Sequence, residues 1–421
     1  MRVLLVAEDC NPNRDSTPGV AYRACKAIAN HADVTLATPI KNQVDIDPAG
    51  GCGKANIVYI DNSRVHKPLY AFATWLRKRA GWTSYVAIAY LFEQAFEWGV
   101  WRRFKSDLRA GRFDVVHRIT PMSPTIPSPL AKWCPVPFVI GPINGGLAWP
   151  KEFEAERRRE REWMTYLRGA YRYLPYHRAT FRNAAAILAG FEHSISDLPE
   201  NAKDKAINFP EVGIDPALFN VSPERVTKDR LTFIFVGRLV PIKCPDILVD
   251  AFSSSGVLKQ HRLVFVGDGP ERARLEEMVK LNGLEACVEF TGWRDYDEIG
   301  DLMRAADVFA FPSIHELGAG VVIEAMACGL PCIVAGHGAP GHLVKGIGSV
   351  IPISAKPEMT EAFATGMEAL ATDDSLRQNW AGLASQRALT HFSWDAKARK
   401  TVEVYEWALG RRDAKPVFDL S

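Results

Sequence analysis

Two glutamates, Glu316 and Glu324, lie on either side of the small residues Gly318-Ala319-Gly320 in the stretch Pro312–Pro331. An apolar strand, Val308 to Phe311, enters this stretch through Pro312-Ser313, and a short helix leaves it, closed by Gly329 and Pro331. The backbone N–H groups of Ala319, Gly320 and Val321 point out of the helix start, and their small side chains let an anion approach. Carboxylates beside a bound phosphate grip hydroxyls. The pattern therefore suits a ligand with a phosphate between two polyhydroxylated groups, as in a nucleotide sugar. Glutamates at this spacing are common by chance in a chain with 49 acidic residues, so the pair gains its weight from its neighbours. A second set lies upstream. The strand Leu231 to Val236 ends at Gly237-Arg238, and Lys243 follows just before a helix that carries Ile247, Leu248 and Phe252. Two cations at a strand end and a helix start suit a diphosphate. His117, at the end of the strand in Phe113–Pro121, is a candidate base or equally a structural hydrogen bonder.

Positioning such groups takes parallel sheets, because open α/β sheets bind ligands beyond the C-terminal ends of their strands. Apolar strands and amphipathic helices alternate along all 421 residues, too many for one ordinary core, so two α/β domains and a cleft are expected. The boundaries fall at 1–212 for the first domain, 213–229 for a linker, 230–390 for the second domain and 391–421 for a closing helix and tail. The first strand, Val3 to Ala7, leads through Asn11-Pro12-Asn13 and Ser16-Thr17-Pro18-Gly19 to a helix from about Val20 to Asn30. No G-x-G-x-x-G occurs there, which disfavours a nicotinamide dehydrogenase. Further on, Gly141-Pro142-Ile143-Asn144-Gly145-Gly146 reads as a glycine-rich turn, and Glu152 to Arg168, with Arg157, Arg158, Arg159 and Arg161, as a solvated charged helix.

The tail after Glu324, Ala325-Met326-Ala327-Cys328-Gly329-Leu330-Pro331, completes a pattern that resembles the acidic signature of glycosyltransferase family 4. The resemblance is strong over residues 231–352, fair over 136–150 and weak elsewhere in the first half. It implies a GT-B fold, that is, two Rossmann-like doubly wound parallel-sheet domains facing a cleft, with a C-terminal helix crossing back to the first domain. It implies a retaining, metal-independent transferase, with a nucleotide-diphosphate sugar as donor and a glycan or lipid-linked acceptor. Arg238 and Lys243 would hold the diphosphate, Glu316 the donor sugar and Glu324 the ribose, with Gly19, Gly237, Trp293, Ala319, Gly320 and Val321 beside the donor and Gly145 and Gly146 on the acceptor side. This sequence departs from the family at Gly19, where paired glycines are usual, at Gly318-Ala319 for Phe-Gly, at Cys244 for Gly and at His342 for Glu. A nucleotide-sugar epimerase or phosphorylase of the same architecture, and an inactive GT-B protein that binds a glycan or partner, are the alternatives.

The Asp-x-Asp pairs, Asp45 with Asp47 and Asp295 with Asp297, are poor metal sites, the first in a loop and the second capping a helix. With 51 basic and 49 acidic residues, bulk charge favours no nucleic acid. The eight cysteines are scattered and read as reduced, buried thiols. The N-terminus is too short in apolar residues for a signal peptide, so the expected location is the cytoplasm, peripherally on the inner face of the membrane. That last reading rests on a long helical region, 67–110, with Trp75, Trp82, Trp98 and Trp101 among Arg77, Lys78, Arg79, Arg102, Arg103, Lys105 and Arg109. Trp98, Trp101, Phe104 and Leu108 recur at helical spacing as a core-facing stripe with a solvated basic face; the other reading is contact with an anionic membrane surface.

Overall fold

In this computed structural model, residues 1–14, 16–80, 82–159, 170–222 and 230–418 are described. Arg161, residues 223–229 of the expected linker and the side chains of Arg77, Lys78, Arg79 and Trp82 lie outside that description. The chain splits into two compact units. The first contains Met1–Gly146, the described residues up to Glu211 and Trp394–Phe418; the second begins at Leu147, resumes at Val212 and runs to Ser393. Residues 147–159, set by chain order within 1–212, thus cluster with the second unit. Residues 213–222 also pack there. Ile214 donates to Phe392 O at 2.8 Å, and Phe219, fully buried, meets Tyr296 edge-on at 5.1 Å.

The first unit is built on β1 (Arg2–Ala7), β2 (Asp33–Pro39), β3 (Asn56–Ile60), β4 (Val115–Thr120), β5 (Phe138–Ile143), β6 (Ala186–Ala189) and β7 (Ala206–Asn208). All pair in parallel, in the order β3-β2-β1-β4-β5-β6-β7. Val3 to Ala7 are wholly buried, as expected of a parallel strand covered on both faces. β5 continues through Gly141 and Pro142, which the sequence pattern placed in a turn. A Cβ at Gly141 would lie 2.2 Å from Leu188 O on the neighbouring strand, so the glycine serves close packing there.

The first helix starts at Thr17, three residues earlier than expected, with Pro18 in its first turn. The long helical region is two helices, Ser63–Ala80 and Trp82–Arg109. The second buries Phe96, Val100, Phe104 and Leu108 in the core, a stripe of fours. The expected stripe is therefore corrected. Trp98 turns outward, 51% exposed, with the Arg102 guanidinium 4.6 Å above its ring, because the stripe of fours rotates the core face away from it. Among the described residues no helix is long and apolar enough to cross a membrane.

The second unit has β8 (Thr232–Val236), β9 (Arg262–Val266), β10 (Val288–Gly292), β11 (Val308–Phe311), β12 (Cys332–Ala335) and β13 (Ser349–Ile351), parallel in the order β10-β9-β8-β11-β12-β13. Aromatic contacts run through its core. Phe235 lies 5.5 Å from Phe265 and 5.7 Å from Phe311, and Phe265 stacks on Phe290 at 5.0 Å. The eight cysteines are free thiols.

The C-terminal helix, Trp394–Ala408, belongs to the first unit, as expected of a helix that returns to the first domain. Tyr405 bonds His117, Asp395 bonds His31 at 2.7 Å, and Lys397 donates to Pro210 O. The Lys397 ammonium is buried over the rings of Phe209, at 4.1 Å, and Phe418, at 5.4 Å. Burial pulls it down to about 7, partly offset by the Glu211 carboxylate. The folded unit then binds fewer protons than the unfolded chain between about pH 7 and the ordinary lysine value near 10.4. Stability should rise with pH across that window, by at most ~1.4 kcal/mol per pH unit from this group. Replacing Lys397 by Met removes the titration, so urea midpoints measured between about pH 7 and pH 9 are expected to climb in the wild type and flatten in Lys397→Met. Equal slopes would show that the ammonium is not desolvated.

Candidate functional site

In the second sheet the strand order reverses between β8 and β11, so the loops leaving these two strands diverge and open a crevice at their C-terminal ends. Arg238 and Lys243 follow β8, and Ser313 and Glu316 follow β11. The structure brings Lys243, Ser313 and Glu316 together. The Lys243 ammonium pairs with Glu316 Oε1, and the Ser313 hydroxyl donates to the same oxygen at 2.7 Å. Lys243 also sits 4.8 Å above the Phe311 ring, and the Ile314 N–H donates to Ile242 O at 3.1 Å. Both side chains of the ion pair are about one-sixth exposed, 16% for Lys243 and 15% for Glu316, so the pair is partly desolvated yet open at one side. Arg238 is exposed at the same strand end.

Local backbone explains the positions. Gly237 has φ +153°, and a Cβ on Gly267 would lie 2.1 Å from Gly237 O, so only glycines let the β8 and β9 loops cross. The chain then passes through a tight turn, Pro241–Lys243, to Cys244 in the left-handed region, φ 45° and ψ 45°. Glycine takes that conformation without a Cβ penalty, which accounts for the residue usual at this position in the resembled family. Cys244 is buried, and burial pushes its thiol up. The helix Asp246–Ser254 follows. Burial alone would raise the Asp246 carboxyl, but Lys356 and Arg274, each 2.6 Å away, hold it below the ordinary value.

Ala319, also left-handed at φ 49°, caps the helix Gly320–Ala327. The Val322 N–H donates to Ala319 O at 3.0 Å, whereas the N–H groups of Gly320 and Val321, at the very start of the helix, have no intrahelical carbonyl and are available to an anion. Glu324 lies farther along the helix, where Tyr296 OH donates to Oε1 at 2.8 Å. Trp293 is 69% exposed beyond β10, the edge strand two places from β8.

The remaining candidates lie in the first unit. A Cβ on Gly19 would sit 1.8 Å from Arg14 O, and one on Gly146, with φ +77°, would sit 2.7 Å from Asp197 Cβ. Packing thus accounts for both glycines. The Gly145 N–H donates to Ser194 Oγ at 3.2 Å. His117 is 1% exposed; Nδ1 lies 2.6 Å from Tyr405 OH and Nε2 2.7 Å from Gly141 O. Burial pulls its imidazole down to about 4, leaving a neutral ring that accepts from Tyr405 and donates to Gly141. This geometry is that of a structural hydrogen bonder. Both side chains of the first Asp-x-Asp pair are engaged locally, and the second pair opens a helix. Asp45 accepts from Asn11 and Asn13, Asp47 from Tyr59 and Gln43, and the Asp295 N–H donates to Glu298 at 3.0 Å in a capping box.

Two groups of residues escaped the sequence reading. At the end of β1, Glu8, Asp9 and Lys41 cluster with His66 and Glu93, and Arg118 is buried against Glu97 at 3.3 Å. Burial, then the Asp9 charge, raises the Glu8 carboxyl to about 7 against the pull of Lys41. Burial and Lys41 lower the His66 imidazole to about 4. The available signal was Glu93 and Glu97, one helical turn apart on the face that also carries Phe92 and Phe96. The second group, Trp149, His315 and His337, surrounds the Glu316 loop, and only the adjacency of His315 to Glu316 hinted at it.

Solved structures share this two-sheet architecture across nearly the whole chain. Sucrose-phosphate synthase from Thermosynechococcus elongatus superposes with a TM-score of 0.66 at 18% identity, covering 98% of this chain and 100% of that one. Anabaena Alr3699/HepE in complex with UDP and glucose superposes with 0.57 at 18%, covering 96% and 98%. Such likeness shows the fold, GT-B. In sequence, an uncharacterised glycosyltransferase of Methanocaldococcus jannaschii is 31% identical over 186 residues, 44% of this chain and 47% of that protein. A D-inositol 3-phosphate glycosyltransferase of Kineococcus radiotolerans is 30% identical over 234 residues, 48% and 52%. The chain spans about half the length of the curated relatives it matches. Residues 220–387, which hold Arg238, Lys243, Glu316 and Glu324, match the family model for glycosyl transferases group 1.

Proposed function

We propose that the protein is a retaining hexosyltransferase of family 4 that moves a sugar from a nucleotide-diphosphate sugar to a glycan or lipid-linked acceptor in cell-surface polysaccharide or glycoconjugate synthesis. The observation that carries this reading is the Lys243–Glu316 pair, with Arg238 exposed at the same strand end, at the strand-order reversal of the unit that holds most of the match to the family model. Transfer breaks the bond between the anomeric carbon and the β-phosphate oxygen, so negative charge grows on the departing diphosphate. Arg238, Lys243 and the N–H groups at Gly320 and Val321 would neutralise it, each such preorganised group contributing about 3 to 4 kcal/mol to lowering the barrier. Glu316 would grip hydroxyls of the donor sugar while fixing the Lys243 ammonium, and Glu324 would hold the ribose. Retention without an enzymic nucleophile then has the acceptor hydroxyl attack on the face from which the diphosphate leaves.

The donor is first sought by a thermal-shift screen of nucleotide sugars, since a ligand at 100 times its Kd stabilises by about 2.7 kcal/mol. With that donor, Arg238→Ala is expected to lower kcat about 10² to 10³-fold while changing donor affinity much less, because its charge partner develops in the transition state. Glu324→Gln should instead raise KM with a smaller effect on kcat. A near-normal kcat in Arg238→Ala would mean that the phosphate site is misplaced. On the same reading the diphosphate is neutralised by protein groups alone, so transfer should survive exhaustive EDTA. Activity lost on chelation and restored by magnesium or manganese would replace that account with a metal-assisted one.

The proposed location is the cytoplasmic face of the membrane, where a lipid-linked acceptor would present its head group. Support comes from the helix Ser63–Ala80. Val65, Pro68, Phe72 and Trp75 form an exposed row at helical spacing, with Arg64 and Lys67 exposed beside it. The neighbouring helix exposes Leu91 and Trp98 in line with Arg102 and Lys105. Aromatic rows flanked by cations suit an interfacial contact with anionic lipid. Co-sedimentation with vesicles of equal parts phosphatidylglycerol and phosphatidylcholine should weaken with salt and fall in Phe72→Ser/Trp75→Ser. Absence of binding at low salt, or binding indifferent to these changes, would remove the membrane from the picture.

A further inference from the structure

Leu147-Ala148-Trp149, in the second unit, is fastened at two points to the loop that carries Glu316 and at a third to His337 in the loop after β12. The Trp149 ring stacks on His315 at 5.0 Å, with 24° between the planes. His315 Nε2 donates to Leu147 O at 3.1 Å, and His337 Nε2 donates to Ala148 O at 2.7 Å. In each ring Nε2 therefore carries the proton that reaches the carbonyl. His337 in turn flanks Gly338, whose backbone bridges to Glu316, and the Ala339 N–H donates to Glu316 O at 3.0 Å. Contact is tight enough to exclude a methyl group. A Cβ on Gly338, at φ +71°, would lie 2.1 Å from Glu316 O and 2.8 Å from Leu147 Cδ2. The backbone of Glu316 is therefore fixed by this clamp, while its carboxylate is aimed by Ser313 and Lys243.

We propose that Trp149, acting with His315 and His337, is a positioning residue for Glu316. The clamp rests on the reading of Glu316 as the group that grips the donor sugar. Trp149 touches no reacting atom in this account. It sets the loop backbone from which the Glu316 carboxylate reaches the sugar, and a displacement of about 1 Å at such a group can cost as much as 10²-fold in rate. The nucleoside diphosphate, held mainly by Arg238 and the amides of the Gly320–Ala327 helix, meets the clamp only through Lys243, the ion-pair partner of Glu316, so loss of the clamp weakens it far less than it weakens the nucleotide sugar. Loss of Trp149 therefore separates sugar-dependent from diphosphate-dependent binding, which a general loss of stability would not do.

The test compares Trp149→Ala, Trp149→Phe and His315→Gln with the wild type, each checked by thermal melting. Without ligand, hydrogen exchange read by mass spectrometry over peptides covering residues 313–318 should speed up about tenfold in Trp149→Ala, with peptides from β8 and β11 unchanged. Trp149→Phe, which can still stack, should restore most of the protection, and His315→Gln, which keeps a donor but loses the stack, should fall between. With the donor found in the screen, Trp149→Ala should lower kcat about tenfold and weaken the nucleotide sugar, while the affinity for its free nucleoside diphosphate stays within about twofold. Unchanged exchange at 313–318 overturns the clamp. Faster exchange with unaltered kcat and nucleotide-sugar affinity shows that the clamp does not position Glu316 and overturns the proposal too. Should no nucleotide sugar bind the wild type, the functional reading fails and the exchange arm still decides the clamp. If Trp149→Ala does not fold, the comparison of Trp149→Phe with His315→Gln decides it.

Discussion

The ion pair between Lys243 and Glu316 is the contact on which the crevice of the second unit depends, because it joins the loops leaving the two strands that flank the reversal of strand order. Each loop alone would splay away from the other, since the connections from β8 and β11 go to opposite sides of the reversal. A surface lysine and glutamate at this separation would contribute at most about 1 kcal/mol. Here the pair is mostly shielded, packed on the Phe311 ring and supplemented by Ser313, so its geometry is well determined. That arrangement keeps a positive charge at the mouth of the crevice in the absence of any anion, with a carboxylate ready to hold it.

Close backbone approach is the second constraint. Gly237 and Gly267 meet where a single added methyl group would collide with a carbonyl oxygen, and this crossing directs the chain toward Lys243. Cys244 and Ala319 then adopt left-handed conformations that ordinarily cost about 1 to 3 kcal/mol apiece. Both stand at turns into helix starts, where the strain aims the backbone that carries the cation on one side and the amides on the other. In the first unit the same device serves packing at Gly19, Gly141 and Gly146.

Much of this was legible in the sequence because parallel strands buried on both faces read as short unbroken apolar runs, and because the Glu316–Pro331 pattern is local. The sequence places Arg238, Lys243 and Glu316 at strand ends and helix starts, and Glu324 on the helix that follows. Other features depend on partners far along the chain. Glu156, read as part of a solvated helix, lies 3.5 Å from Lys356, and Arg159 pairs with Glu271; no local pattern shows that the segment after Gly146 belongs with the second unit. Trp98 was misread because Trp98, Trp101, Phe104 and Leu108 fit a helical stripe as well as Phe96, Val100, Phe104 and Leu108 do. Burial, not spacing, chooses between the two faces. His117 shows the same limit: the pattern set it at a strand end, whereas β4 runs on to Thr120 and the imidazole lies within the strand, its nitrogens facing a tyrosine and a carbonyl.

The two units spend charge differently. In the second, Arg238 at the β8 end is exposed and Lys243 is paired with Glu316 yet open at one side. In the first, the end of β1 holds Glu8, Lys41, Glu93 and Arg118 almost without exposure for the carboxylates and the guanidinium. Buried carboxyls of this kind cost several kcal/mol to desolvate, and apolar side chains of similar volume are often neutral or stabilising in their place. Stability therefore gives no account of them. Glu93 Oε2, Arg118 Nε and His66 Nε2 are buried without a hydrogen-bond partner, whereas in a finished core nearly every buried polar atom finds one. The strand order of the first sheet reverses at β1 and β4, so the unsatisfied groups stand at the end of the sheet where its own topology opens a crevice. These unmatched polar atoms lie in the half of the chain outside the match to the family model.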